Sequence, residues 1–294
     1  MIEAVVRAGS IRKAAEDMNI TASALNRRIQ GFEAEFGWEI FERLPRGMRL
    51  NPAGEVVMQH IRAQISDLAR VQSQVADLSG LRRGHVSISC SQALIPYFLP
   101  EQISIYRAQH PNVTFSVNIR DRQQAERDLS NFDSDLALVF EPVYMVDFDV
   151  IQAIPQPVHA VYRSDHPLAQ EEVLRLRHCL DYPCILPAPI FGVRNLLEIA
   201  SRKIRRTLTP ALETESFELI RHYVLHENCV GFQIPIGLTG SLCDQMDHQP
   251  LSQRDVPVGQ LYLGQKKGRM LPVASSRFAS QLSTVLENRW EAAS

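Results

Sequence analysis

The stretch SIRKAAEDMNITASALNRRIQGFEAEF, residues 10–36, predicts two short helices joined by a tight turn. Ser10 and Thr21 are residue types that cap helix N-termini, and each precedes a run whose apolar residues recur every three or four positions. A further helical segment, IEAVVRA, comes before them at residues 2–8. Two short helices in this order, with a tight turn between them, are what a helix-turn-helix requires.

The helix that begins after Thr21 has one apolar face and one small, polar face. The apolar residues, spaced by 4, 3 and 4, are Leu25, Ile29, Phe32 and Phe36, and we expect them to lie in the core. The other face consists of Thr21, Ala22, Ser23, Asn26, Arg27 and Gln30. Such a face fits the DNA major groove, about 12 Å wide, where bulky apolar side chains would be wrong. The alternative is a helical hairpin used only for packing.

The next segment, FERLPRGMRLNPAG at residues 41–54, predicts two short strands joined by a turn at 45–47. This wing would carry Arg43, Arg46 and Arg49. A guanidinium donates two hydrogen bonds at once and therefore suits DNA phosphates. The alternative places these arginines on a solvated face without a partner. We expect the helix and the wing together to form a DNA-binding domain of residues 1–52.

A long helix is predicted over 53–79, because the chain has neither Gly nor Pro between residues 55 and 78. Its apolar residues recur at a mean spacing of 3.5, the coiled-coil period, and are Val57, Ile61, Ile65, Leu68, Val71, Val75 and Leu78. We expect this linker helix to pair two copies of the chain. The alternative is an amphipathic helix packed on its own chain. Residues 80–84 are predicted to form a hinge.

Residues 85–294 predict an α/β domain with two lobes. Strands and helices alternate over 85–140 at the spacing of a doubly wound unit, and a second set follows. We place lobe I at about 85–155 and 255–294, and lobe II at about 156–254. A cleft between two such lobes is a natural site for a small molecule, because strand ends and helix N-termini converge there.

The candidate ligand contacts lie at the ends of predicted strands and the starts of predicted helices. Backbone N–H groups at Ser91 and Gln92 could hold a carboxylate, and Arg120 could pair with an anion. The full set of expected contacts is Ser91, Gln92, Arg120, Phe140, Glu141, Phe191, Gly192, Phe232 and Gln233. For each of these residues, ordinary capping or packing is the alternative.

Composition limits the class of protein. The 294 residues suggest two or three packed units, and 45% of them are hydrophobic. With 33 acidic and 31 basic residues the chain is nearly neutral, so DNA would have to be met by a local patch. We find neither a secretory signal nor about 18 uninterrupted apolar residues, and therefore expect a cytoplasmic protein without a membrane partner.

Catalytic and metal-binding patterns are missing from the sequence. There is no G-x-S-x-G, P-loop or G-x-G-x-x-G string, and the five cysteines include no C-x-x-C pair. We therefore expect no catalytic residue, no metal and no cofactor. An enzyme on the α/β portion and a solute-binding protein remain as alternatives, and Cys179 with Cys184 could form a thiol-based switch.

From Gly9 to Gly54 the chain resembles the N-terminal domain of LysR-type transcriptional regulators. The matching positions are Gly9, Ser10, Ala14, Ala15, Ile20, Thr21, Ser23, Ala24, Leu25, Arg27, Ile29, Phe32, Glu33, Gly37, Ile40, Phe41, Arg43, Leu50, Asn51, Pro52, Ala53 and Gly54. The strings DLA at 135–137, DHPLA at 165–169 and VGFQIP at 230–235 resemble motifs of the family's effector domain, in the same order. Ala22 departs from the family, which usually has a polar residue there, and Asn26 stands where Ser is common. The first helix also looks several residues short.

The resemblance implies an α/β multi-domain protein. Its parts would be an N-terminal winged helix-turn-helix, a long linker helix and a two-lobed effector domain with the fold of periplasmic binding proteins. It also implies double-stranded DNA as partner, a small-molecule effector in the cleft, and a homodimer or homotetramer. RNA polymerase is a further partner that the resemblance suggests.

Overall fold

A computed structural model describes residues 1–45, 47–78, 83–238 and 245–290. Arg46, most of the expected hinge and Cys243 lie outside these ranges. The chain divides into two units, residues 1–69 and 70–294. None of the described helices is long and apolar enough to cross a bilayer.

The first unit contains three short helices, a two-stranded hairpin and the start of a long helix. These elements are α1 (Ile2–Ala8), α2 (Ile11–Asp17), α3 (Ala22–Phe36), β1 (Phe41–Leu44), β2 (Gly47–Leu50) and α4 (Pro52–Leu78), the last of which continues into the second unit. Thr21 caps α3 as expected, with its hydroxyl accepting a hydrogen bond from Ala24 N at 3.3 Å. Gly9 and Gly37 adopt the left-handed conformation and end α1 and α3. The helix-turn-helix and wing predicted from the sequence are therefore present.

The core of the first unit forms where α1, α2 and α3 meet. Leu25 and Ile29 are buried there and Phe32 is partly buried. The expectation for Phe36 is wrong, because 47% of its surface is exposed. It lies in the last turn of α3, beyond the core, and stacks on Phe32 with ring centroids 5.7 Å apart.

Hydrogen bonds from backbone N–H groups to side-chain oxygens fix the junction between α3, the wing and α4. One carboxylate oxygen of Glu33 accepts from Ile40 N at 2.9 Å and from Phe41 N at 3.3 Å. Asn51 caps the next helix by accepting from Gly54 N at 2.8 Å. A Cβ at residue 54 would collide with the Ile40 carbonyl oxygen, so glycine is required there.

Helix α4 has the bounds that the linker helix was expected to have, to within a residue. Its first turns pack on their own chain, because Met58 is buried and Val57 and Ile61 are partly buried against the core of the first unit. For these two residues the alternative of packing on the same chain holds. The later apolar residues are exposed, namely Ile65, Leu68, Val71, Val75 and Leu78.

The second unit is built on a five-stranded and a three-stranded sheet. Its elements are β3 (Gly84–Cys90), α5 (Phe98–Gln109), β4 (Val113–Ile119), α6 (Arg122–Ser130), β5 (Leu136–Phe140), β6 (Phe148–Gln156), β7 (His159–Arg163), α7 (Leu176–Cys179), β8 (Cys184–Pro187), α8 (Gly192–Lys203), β9 (Pro210–Thr214), α9 (Phe217–Tyr223), β10 (Gly231–Gln233), β11 (Met246–Pro250), β12 (Gly259–Lys266) and α10 (Val273–Trp290). The five-stranded sheet has the order β4-β3-β5-β12-β6, and the three-stranded sheet the order β10-β7-β11. We call the part built on the first sheet the first lobe, and the part built on β7 to β11 the second lobe.

The topology of the first lobe places a site at one edge of its sheet. Strands β3, β4 and β5 are parallel, so their carboxyl ends meet at the same edge. The chain leaves this sheet after β6, builds the second lobe, and returns as β12, which is antiparallel to β5 and β6. In a sheet of this kind ligands bind beyond the carboxyl ends of the strands.

Candidate functional site

The small, polar face of α3 is exposed to solvent. Thr21, Ala22, Ser23, Arg27 and Gln30 are exposed, and Asn26 is half-buried. The opposite face carries the buried side chains, so the helix separates the two kinds of residue as the sequence pattern indicates. None of the six side chains is buried in the core, so this face can lie in the major groove of DNA.

The arginines of the wing have partners within the chain. Arg43 Nη2 donates to the side-chain oxygen of Asn26 at 3.2 Å, which ties the wing to α3. Arg49 Nε lies 2.7 Å from Glu42 Oε2, and the hydrogen bond and charge of Glu42 raise the pKa of Arg49. A phosphate would therefore compete with Glu42 for Arg49. Arg46, the third expected wing residue, is outside the described residues.

A narrow cleft lies between the two lobes of the second unit. Six of the nine expected ligand contacts line it, namely Ser91, Arg120, Phe140, Phe191, Gly192 and Gln233. Its other lining residues were not expected, and are Ala93, Arg122, Val139, Val193, Phe217 and Ile234. Its own side chains almost fill it, and the cavity volume is only about 10 Å³. The lobes are therefore closed on each other.

Three expected contacts do not line this cleft. The side-chain oxygen of Gln92 accepts a hydrogen bond from Phe217 N at 2.6 Å and so joins the lobes. The carboxylate of Glu141 accepts from Gln260 N at 2.7 Å. Phe232 is completely buried in the core.

Arg120 lines the cleft with its charge already balanced. Its Nε donates to Asp128 Oδ2 at 2.7 Å, and that carboxylate also accepts from Ser89 Oγ at 2.7 Å and from Gln124 Nε2 at 2.8 Å. The pair fixes the guanidinium at the edge of the sheet. An anion would share Arg120 with Asp128.

Arg122 is the cation that sequence reasoning missed. Its Nη1 donates to the Glu141 carbonyl oxygen at 2.8 Å and its Nε to the Ile190 carbonyl oxygen at 3.2 Å. Burial lowers the pKa of Arg122, and the carboxylates of Glu141, Glu126 and Asp121 oppose that effect. These two hydrogen bonds end on carbonyl oxygens, so the guanidinium can still take an anion. The bond to Ile190 also links the lobes.

A close approach of α8 to β5 explains why the cleft is narrow. A Cβ at Gly192 would lie 2.8 Å from the Cβ of Glu141 and 2.9 Å from the carbonyl oxygen of Phe140. Any larger residue would push the lobes apart. Glycine at this position therefore permits the closed arrangement.

The described cysteines do not have the properties of a redox switch. Cys90, Cys179, Cys184 and Cys229 are all buried. Burial raises the pKa of Cys90 and Cys184 to about 12 and that of Cys229 to about 11. A sensor thiol is exposed and of low pKa. The hypothesis of a switch at Cys179 and Cys184 has no support in this geometry.

No group of three or more His, Cys, Asp or Glu side chains that could hold a metal ion occurs among the residues the structure describes. His222 lies 3.2 Å from a carboxylate oxygen of Glu218 on the surface of α9, and His226 follows the end of that helix.

Comparison with known proteins assigns both units. Residues 1–55 match the family model of the bacterial regulatory helix-turn-helix proteins of the lysR family, and residues 79–287 match that of the LysR substrate binding domain. Among curated relatives, the HTH-type transcriptional activator CmpR of Synechocystis is 26% identical over 283 residues, which cover 95% of this chain and 91% of CmpR.

Solved structures show the same fold. A full-length OxyR variant from Pseudomonas aeruginosa superimposes with a TM-score of 0.68 at 17% identity, over 97% of this chain and 92% of OxyR. The regulatory domain of Synechocystis CcmR in complex with 2-PG gives a TM-score of 0.63 at 19% identity, over 70% of this chain and 99% of that domain.

Proposed function

The chain belongs to the LysR family of bacterial helix-turn-helix transcriptional regulators, and we propose that it reads DNA with the exposed face of α3. The observation that carries this proposal is the division of α3 into a buried apolar face and an exposed face of small and polar residues. A recognition helix contacts base edges mainly with its N-terminal residues. We therefore assign Thr21, Ala22, Ser23 and Asn26 to the floor of the major groove.

The basic and polar residues around this face would hold the DNA backbone. Arg27 and Gln30 lie further along α3, and Arg43, Arg46 and Arg49 belong to the wing. Contacts to phosphate position a protein on the duplex without reading its sequence. The bond between Arg43 and Asn26 couples the two groups, because it fixes the wing against the reading face.

Two copies of the chain are needed to read a pseudo-palindromic site. We propose that the exposed apolar residues of α4 pair two copies, with Leu68 and Leu78, 59% and 89% exposed, at the interface. Pairing would bury a stripe that water otherwise covers. On the family resemblance we propose a homodimer or homotetramer and RNA polymerase as a further partner of the DNA-bound form.

The division of the chain follows from this assignment. We propose residues 1–52 as the DNA-binding domain, 53–79 as the linker helix, 80–84 as the hinge and 85–294 as the effector-binding domain. The protein would act by binding alone, without turnover of a substrate, and in the cytoplasm, where its DNA target lies.

The effector would bind in the cleft between the lobes. Arg122 donates to carbonyl oxygens and not to a carboxylate, so it can take up an anion together with Arg120. The N–H of Ser91, expected to hold a carboxylate, donates instead to the Leu138 carbonyl oxygen at 3.0 Å, so only the N–H groups that follow it could join them. Phe140 and Phe191 supply an apolar wall. CcmR, whose regulatory domain shares this fold, was solved with 2-PG. We therefore propose a small organic anion whose binding shifts the balance between assembly states.

Selection of DNA by the full-length protein from a random library tests the assignment. We expect enrichment of a pseudo-palindromic sequence and a loss of at least tenfold in affinity for it in Arg27→Ala. The matched control is Arg107→Ala, which removes an exposed arginine from α5 and should leave the affinity unchanged. Enrichment of no sequence, or equal affinities for both variants, would contradict the proposal.

A further inference from the structure

A second cavity lies beside the cleft and also takes its walls from both lobes. The first lobe contributes Ile95, Pro96, Tyr97 and Ile119, and the second contributes Glu218 and Arg221 of α9. Its volume is about 450 Å³, against about 10 Å³ for the cleft. We propose that this cavity binds a second small molecule, a monocarboxylate with an apolar body.

Arg221 provides the polar end of the cavity. Only 13% of its side chain is exposed. Its Nη2 donates to the hydroxyl oxygen of Tyr97 at 2.5 Å, and its guanidinium carbon lies 5.2 Å from the centre of the Tyr97 ring. Its Nε is buried and has no hydrogen-bond acceptor within the described structure. That atom is shielded from the cavity as well as from water. A ligand oxygen in the cavity would instead accept from the second N–H of Nη1 or Nη2, because the bonds to Glu218 and Tyr97 use only one N–H of each.

Tyr97 adds a second donor. Its oxygen accepts the bond from Arg221, which leaves the phenolic O–H to donate to an acceptor on the ligand. A carboxylate offers two oxygens and can accept from both groups at once. A charged acceptor also makes stronger hydrogen bonds than a neutral one.

The charge around Arg221 limits the ligand to one carboxylate. Glu218 Oε2 lies 3.2 Å from Arg221 Nη1, but the side chain of Glu218 is 54% exposed and also contacts His222. An incoming carboxylate can take over the guanidinium while Glu218 stays hydrated. A second carboxylate on the ligand would meet either Glu218 or an apolar wall, and both are unfavourable.

The remaining walls suit an apolar body. Ile95 and Pro96 precede α5, Ile119 ends β4, and Phe217 begins α9. Ile119 keeps 49% of its surface exposed. The volume lies in the range of about 300–1,000 Å³ that small-molecule sites occupy. A branched or aromatic group of five to eight carbons would cover these side chains.

The cavity is placed to affect the cleft. Two hydrogen bonds that cross between the lobes border it, from Phe217 N to Gln92 and from Arg221 to Tyr97. Phe217 and Gln233 line both spaces. A ligand here would act on the same closure of the lobes that the proposed effector controls, and the two sites would be coupled. Binding itself does not depend on the proposed function.

Calorimetry on the full-length protein tests the proposal with phenylacetate, 4-methylpentanoate and hexanoate, each compared with its primary amide. We expect saturable binding of at least one carboxylate and binding of its amide at least tenfold weaker. Arg221→Gln should weaken the carboxylate at least tenfold. Ile119→Trp, which fills the cavity from an exposed position, should also weaken the carboxylate at least tenfold, without removing a hydrogen bond. This second variant tests the proposal if Arg221→Gln fails to fold.

Arg122→Gln separates the two sites, because Arg122 lines only the cleft. Because it also loses the bond to Ile190 that links the lobes, it can weaken the carboxylate through the coupling, but by less than Arg221→Gln does. Loss of binding in Arg122→Gln with normal binding in Arg221→Gln would place the probe in the cleft, which would overturn this proposal and leave the proposed function standing. Absence of binding by all three carboxylates, or equal affinity for acid and amide, would also overturn it.

Discussion

Replacement of Arg27 by alanine should reduce the salt dependence of DNA binding. Arg27 is exposed on α3, whereas Arg49 of the wing is paired with Glu42. If Arg27 contacts a phosphate, each DNA-bound copy releases one counterion fewer in the variant. The alanine itself is a good helix former, so α3 should keep its structure.

The size of the effect follows from the number of copies. Each phosphate contact contributes about 0.9 to the slope of log K against log salt, so two copies lose about 1.8. Between 50 and 200 mM salt this difference amounts to about twelvefold. The affinity deficit of the variant should therefore be about twelve times larger at 50 mM than at 200 mM.

Fluorescence anisotropy on the selected DNA at several salt concentrations measures both slopes. Arg107→Ala is the matched control and should have the wild-type slope. A variant of Arg27 that binds more weakly at all salt concentrations with an unchanged slope would show that Arg27 reads a base. Equal affinity and equal slope would refute its role in DNA binding altogether.

Four further outcomes are expected. Glu42→Gln should release Arg49 for phosphate and raise both DNA affinity and salt slope, by up to about 1.8 for two copies; unchanged binding in anisotropy would contradict this. Gly54→Ala should destabilise the first unit by about 3 kcal/mol in denaturant unfolding, because the added methyl group overlaps a backbone carbonyl. Leu68→Glu should halve the mass seen by sedimentation, and an unchanged mass would argue against pairing through α4. Because burial raises the pKa of Cys184 to about 12, native protein at pH 8 should leave it unalkylated in peptide mapping, while denatured protein reacts fully.

The N-terminal unit could be predicted closely because its signals are local. Thr21 caps α3 by a hydrogen bond three residues away, and the glycine at 37 ends the helix, so both bounds are visible in the sequence. Phe36 was misplaced because periodicity shows a face but not where the core ends. Only the tertiary structure shows that the last turn of α3 extends past it.

In the second unit the strands that are hardest to predict from the sequence are those without a clear apolar pattern. Strand β6 contains Pro155 and lies at the edge of its sheet, where proline is tolerated. Strand β11 reads MDHQP and is also an edge strand. Central strands such as β5 are easier to recognise, because burial on both sides produces a continuous apolar run.

Only some of the residues that line the cleft could be predicted, because only some are positioned by local sequence signals. Residues that directly follow a strand, such as Ser91 and Arg120, can be located from the strand itself. Arg122 and Phe217 are the first residues of α6 and α9. Which helix N-termini face the cleft depends on how the two lobes pack against each other, and the sequence does not show this. The sequence places Phe232 beside Gln233 on one strand, but only the structure shows that Phe232 turns into the core.

The closed cleft has a consequence for kinetics. A ligand larger than a water molecule has to wait until the bond from Arg122 to Ile190 breaks and Gly192 moves away from Phe140. Binding is then limited by how often the lobes open and not by diffusion, so the observed rate of ligand binding should level off as ligand concentration increases. Slow opening of the lobes would also delay release of the ligand, so a brief pulse of metabolite could leave a lasting response.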